Sequence, residues 1–250
     1  MHRFFVPPTE LRSSRFPLPE AESRHAAQVL RVRAGDIVQV LDGAGRRYDC
    51  AVDTVEKRQV WLRVEKETQV PAPKVAVEVY PAVAKGKAME LIIQKAVELG
   101  AAKICPVVCD HSVAHYDDDR AEDKAEKWRL TAIEALKQCG REWLPEVTAP
   151  MPFKQCLPPS DNNALNLVAA LQEGATPVGE RFAAFVKTHD ALPSKVRLWV
   201  GPEGDFSPAE YLSLKQQGVQ AVTLGPHVLR CETALLALLA VCQHEILFRS

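Results

Sequence analysis

From Asp36 to Glu67 apolar and polar residues alternate, in the runs Ile37–Leu41, Tyr48–Val55 and Val60–Val64. A period of two turns one face of each run towards a core, as in half-buried strands. Asp42-Gly43-Ala44-Gly45 supplies turn residues between the first two runs, so the stretch predicts a small β-barrel. Val70-Pro71-Ala72-Pro73 then breaks the pattern, because proline fixes φ and donates no ladder hydrogen bond. Domains are expected over residues 1–70 and 74–250. Beyond the break, apolar runs at Val75–Val83, Ile104–Val108, Leu165–Leu171, Arg197–Val200 and Val219–Leu224 alternate with helical patterns over 87–99 and 121–139. Such alternation predicts a parallel α/β sheet.

Composition changes this picture little. The 250 residues carry a net charge of −1, which lacks the basic excess common in nucleic-acid binders. Residues 1–70 are slightly basic, with 12 Lys/Arg against 10 Asp/Glu. The N-terminal Met1-His2-Arg3-Phe4-Phe5-Val6 has no sustained apolar stretch, which argues against a secretory signal and for a cytoplasmic protein. The longest apolar stretch, Ala234–Cys242, is about half the roughly 20 residues of a membrane span and is expected to be a core helix. Seven cysteines without framework spacing fit reduced thiols. Cys105, Cys109, His111 and His115 could be drawn as a zinc site, but their spacing differs from Cys-x-x-Cys knuckles, and no metal is expected.

Two segments could carry chemistry. In the first, Val200-Gly201-Pro202-Glu203-Gly204-Asp205-Phe206 joins a strand end to a helix start. Ser207 suits the N-cap, Pro208 the first helical position and Glu210 the return arm of a capping box. Alone, this segment is accounted for by a tight strand-to-helix turn. The second, Leu224-Gly225-Pro226-His227-Val228-Leu229-Arg230-Cys231-Glu232-Thr233, again joins a strand to a helix. Parallel α/β sheets bind ligands beyond the carboxyl ends of their strands, so the two loops together could form one pocket. The helix expected over Thr233–Leu247 is apolar on nearly all faces, which requires burial in the core or against a second subunit. Neither a dinucleotide fingerprint nor a hydrolase nucleophile elbow occurs.

Gly-Pro-Glu-Gly followed by Leu-Gly-x-x-x-Leu-Arg-x-Glu-Thr-Ala resembles the bacterial 16S rRNA (uracil-N3) methyltransferases of the SPOUT superfamily. Arg3-Phe4-Phe5-Val6, His25–Arg31 with Gly35-Asp36, Lys95–Gly100 and Glu134–Arg141 with Pro145 are also similar to that family, in matching order. The resemblance implies a PUA-like barrel followed by an α/β domain with a C-terminal trefoil knot, S-adenosylmethionine as cofactor, 16S rRNA of the small subunit as partner, and a homodimer. It assigns Val200, Gly201, Glu203, Gly204, Leu224, Gly225 and Leu229 to the cofactor, Arg230 to catalysis, and Glu232 to a candidate base. Arg230 is read equally well as an ion-pair partner of Glu232 or of another acid near the helix start. Arg24, His25, Arg31, Lys85, Lys87 and Arg141 are the expected RNA contacts, with Arg141 sharing a helical face with Glu134 and Gln138. The chain departs from the family at Asp205, where another glycine is usual, and at His111, near a position often held by arginine. A non-catalytic RNA-binding or ribosome-assembly protein on the same scaffold is the alternative.

Overall fold

The computed structural model describes every residue except Arg12, 113–120, Glu173 and Ser250. It divides into two compact units: Met1–Ala72 with Ile133–Leu144, and Pro73–Ala132 with Pro145–Ser250.

In the first unit, β1 (Arg3–Phe5), β2 (Arg15–Pro17), β3 (Ile37–Leu41), β4 (Arg46–Val55) and β5 (Val60–Gln69) form one sheet in the order β1-β3-β4-β5-β2. The alternation works as expected: Val38, Val40, Tyr48, Cys50, Val52, Val60 and Leu62 point into a core with Phe4, Phe16 and Leu18. Register shifts at Asp49/Cys50 and Val52/Thr54 mark bulges in the β4–β5 pair, which bend a strand and sharpen its twist. Helix α1 (Glu20–Arg24) runs into a wide π-type turn over His25–Leu30 that stops at Arg31, whose φ of 54° is left-handed.

The segment Ile133–Leu144 groups with this unit although it lies far along the chain. Lys137 pairs with Glu22 at 2.8 Å and Glu142 with Arg47 at 3.1 Å. Arg3 donates to the carbonyls of Lys137 (3.2 Å) and Gln138 (2.9 Å), capping helix α3 (Ala121–Cys139) with a cation at its negative end. Helix α3 stops before Gly140, so Arg141 is not on the helical face of Glu134 and Gln138, contrary to the expectation from spacing.

The second unit contains a seven-stranded parallel sheet in the order β12-β14-β11-β13-β6-β7-β9. Its strands are β6 (Ala76–Pro81), β7 (Lys103–Ile104), β9 (Glu146–Val147), β11 (Ala164–Ala169), β12 (Thr176–Pro177), β13 (Lys195–Val200) and β14 (Gln220–Thr223). The expected strand Ile104–Val108 is split, because Pro106 cannot continue the ladder. Its second half, β8 (Val107–Val108), pairs instead with β10 (Met151–Pro152). Helices α2 (Lys87–Glu98), α4 (Val178–His189), α5 (Pro208–Gln216) and α6 (Cys231–Phe248) complete the unit.

The central strands are buried on both faces, as parallel sheets require. Arg197 is nevertheless inside, held by Glu78 at 3.1 Å and Asn166 at 3.3 Å. Lys195 pairs with the same Glu78 at 2.8 Å, so the buried charges are compensated. The α6 helix is not buried all round. Cys231, Ala234, Leu235, Leu238, Leu239 and Cys242 form its buried stripe, while Val241 is 40% and Phe248 75% exposed.

Candidate active site

Three adjacent strands of the second unit, β14, β11 and β13, end at the same carboxyl edge. Their loops line an open-sided pocket, at the edge where parallel α/β sheets bind ligands. Ala169, Ala170 and Leu171 come from the end of β11, and Val200, Gly201, Pro202, Glu203 and Asp205 from the loop after β13. Leu224, Gly225, His227, Val228 and Leu229 follow β14, and Cys231 and Ala234 belong to the first turn of α6.

Six of the seven expected cofactor residues therefore meet here: Val200, Gly201, Glu203, Leu224, Gly225 and Leu229. Gly204 is not among the lining residues; its carbonyl faces His111 instead. The contribution of Ala169–Leu171 was missed, although the position of its strand beside β13 and β14 is the signal, once pairing order is known.

The loop after β13 is shaped by close approach. A Cβ on Gly201 would stand 3.1 Å from the Phe206 nitrogen and 3.2 Å from Asp205 Oδ1. Asp205 itself adopts φ 61°, a conformation that aspartate tolerates better than most residues. Its carboxylate accepts from the Phe206 amide (2.8 Å) and the Tyr211 hydroxyl (2.8 Å). The predicted capping box of α5 is present, with Ser207 Oγ accepting from the Glu210 amide at 3.3 Å and Glu210 Oε2 from the Ser207 amide at 2.8 Å. The second glycine of the pocket, Gly225, has φ 118°, which side-chain-bearing residues rarely adopt.

The turn after β8 is tied to the same loop. His111 Nδ1 lies 3.0 Å from the carbonyl oxygens of Gly204 and Asp205. The Asp110 amide donates to Glu210 Oε1 at 2.9 Å, and Ser207 Oγ donates to Asp110 Oδ2 at 2.6 Å. Hydrogen bonds to the Asp205 and Gly204 carbonyls raise the His111 pKa above its ordinary value. Cys105 and Cys109 are buried, and no group of three metal-ligating side chains occurs among the described residues; His115 lies outside them.

Arg230 is the N-cap of α6, exposed, and flanked by the lining residues Leu229 and Cys231. No ion pair joins it to Glu232, which is half-buried in the first turn of α6. In the first unit, Arg24 is exposed and pairs with Glu20 at 3.0 Å. His25 and Arg31 are also exposed, whereas Arg141 is half-buried, and burial disfavours its charge. Lys85 and Lys87 are exposed in the second unit.

A parallel sheet with a pocket at its carboxyl edge, and a separate small β unit, define an α/β protein with an accessory domain. The RNA methyltransferase domain family matches residues 71–243, and the RNA methyltransferase PUA domain matches residues 18–65. The chain belongs to the ribosomal RNA small subunit methyltransferase E family. It is 32% identical to the Bacillus subtilis member over 98% of this chain and 97% of that one. With the Aquifex aeolicus member it shares 29% identity over 96% and 98% of the two chains. The crystal structure of the Neisseria gonorrhoeae enzyme bound to S-adenosyl methionine superposes with a TM-score of 0.84, at 28% identity, covering 98% of this chain and 97% of that chain. The fold matches that of SPOUT methyltransferases.

Proposed function

We propose that this protein transfers a methyl group from S-adenosylmethionine to N3 of a uridine in 16S ribosomal RNA, acting on the small subunit in the cytoplasm as a homodimer. Methyl transfer to small-subunit rRNA is supported by relatives of that name aligned over nearly the whole chain. The observation that carries the reading is the three-loop pocket, with Glu203 and Asp205 at its edge. Its apolar wall of Leu224, Val228 and Leu229 suits a purine ring, and the two carboxylates suit the ammonium and sulfonium charges of this cofactor.

S-adenosylmethionine, when bound, supplies an electrophilic methyl group. The loops around Gly201 and Gly225 hold the donor in one orientation; alignment of this kind can be worth about 7–11 kcal/mol. The N3 proton of uracil must leave, and the resulting negative charge spreads over the ring carbonyl oxygens. Arg230, exposed beside the lining residues Leu229 and Cys231 and without a carboxylate partner among the described residues, is proposed to hold that charge. Glu232 is the candidate proton acceptor. Arg24, His25, Arg31, Lys85, Lys87 and Arg141 are proposed RNA contacts, and a C-terminal trefoil knot built from the loop-bearing segments is part of the same reading.

The dimer is supported by the exposed apolar side of α6, where Val241 and Phe248 lie one above the other at i, i+7. Deleting the gene and analysing 16S rRNA nucleosides by mass spectrometry tests the proposal. Loss of 3-methyluridine, restored by the wild-type chain and not by R230A, is the expected result; unchanged 3-methyluridine contradicts it.

A further inference from the structure

The β6–α2 loop leads from the donor pocket to a second depression in the same unit. The Ala82 amide donates to the Val200 carbonyl at 2.8 Å, and Val200 lines the pocket. Three residues later Lys85 lines a groove of about 700 Å³, so the two features are separated by at most ~11 Å of extended chain. Lys124, Lys127, Trp128 and Thr131 form the far wall, with the 3, 4 and 7 spacing that puts them on one face of α3.

Among the described residues that line the groove, three are lysines and one, Glu90, is a carboxylate, in a chain whose net charge is −1. Trp128 is buried, which makes that wall firm. The N-terminus of α2 opens at Gly86 in the same groove, and no side chain caps it, so the positive end of the helix dipole adds to the lysine field. The groove is far larger than one phosphate needs, and its lysines are spread along two elements. That arrangement suits a polyanionic strand better than a single bound anion.

We propose that this groove takes the phosphodiester backbone of the RNA strand carrying the acceptor base, with Lys124 and Lys127 as phosphate contacts beside Lys85. The proposal rests on the methyltransferase reading of the neighbouring pocket. It adds a basic track that begins within a few residues of the donor site and would deliver the base to it.

The test measures binding of the full chain to 16S ribosomal RNA across a salt series, with S-adenosylmethionine affinity measured in parallel by calorimetry. For K124A/K127A the expected result is roughly tenfold weaker RNA binding and a salt slope shallower by about 1.4, at about 0.7 per single-strand phosphate. Cofactor affinity is expected to stay unchanged, and K124R/K127R to keep the wild-type slope. RNA affinity and slope unchanged in K124A/K127A overturn the proposal, as does a parallel loss of cofactor affinity. A wild-type chain with no affinity for 16S ribosomal RNA overturns the methyltransferase reading and this proposal together, and that failure is recognised because it precedes any substitution.

Discussion

His111 and Asp205 touch: His111 Nδ1 lies 3.0 Å from the Asp205 carbonyl oxygen. The same nitrogen reaches the Gly204 carbonyl at 3.0 Å. Asp205 supplies the left-handed turn, and His111 holds the outer side of that turn to the strand-end loop after β8. The two residues therefore form one local device at the loop after β13, whose Asp205 lines the pocket.

H111A is expected to weaken S-adenosylmethionine binding roughly three- to tenfold, the scale of one lost hydrogen bond. D205G removes the carboxylate contacts to the Phe206 amide and Tyr211. Calorimetry on both single variants and the double variant should give non-additive effects. Strict additivity would show that the two residues act separately.

The His111 pKa is raised chiefly by the Asp205 and Gly204 carbonyls, with Glu210 and Asp110 nearby adding in the same direction. A group with a raised folded-state pKa gives its full contribution below its ordinary value and loses it as pH rises through the raised one. Cofactor affinity of the wild type should thus fall with rising pH across that window, while H111A shows a flatter profile. Parallel profiles for the two proteins would contradict this role.

Arg230 should act on rate more than on donor binding. R230A is expected to lower kcat roughly 10²–10³-fold, the usual cost of removing a group that holds developing charge, with S-adenosylmethionine affinity within about twofold of wild type. R230K should recover only part of the rate, because an ammonium cannot reproduce the planar fork of a guanidinium. Single-turnover kinetics separate the two effects, and full activity in R230A would remove this residue from the mechanism.

Arg197, which is buried, and Lys195 of β13 both pair with Glu78 of β6. Burial alone would raise the Glu78 pKa; hydrogen bonds from Lys195 and Tyr80 and the charges of Lys195 and Arg197 outweigh it and lower the value. A lowered carboxylate pKa stabilises above the unfolded value and ceases to do so as pH falls through the folded one. R197M should cost about 3 kcal/mol by leaving Glu78 with a single cationic partner and narrow the difference in stability between neutral and acidic pH. Denaturant titrations at both pH values check this, and an unchanged difference would contradict it.

Much of this architecture was legible because local and global signals agreed. Alternation marked β3, β4 and β5, and Ser207, Pro208 and Glu210 wrote the start of α5 into three residue types. Six of the residues expected to hold the cofactor line one pocket, since the two Gly-Pro loops follow strand ends. What stayed hidden depends on pairing across long separations. Ala169–Leu171 joins the pocket only because β11 lies between β14 and β13. Ile133–Leu144 groups with the first unit through contacts such as Lys137 to Glu22, 115 positions apart. The apolar character of α6 was visible, but its division into a buried stripe and an open side was not, because periodicity is lost when every face is apolar.

The most direct test uses purified protein, labelled S-adenosylmethionine and small ribosomal subunits from cells lacking the gene, with the labelled nucleoside identified by mass spectrometry. The expected result is stoichiometric label in 3-methyluridine of 16S ribosomal RNA, formed roughly 10²–10³-fold more slowly by R230A. Label in another nucleoside, or none despite intact cofactor binding, would contradict it.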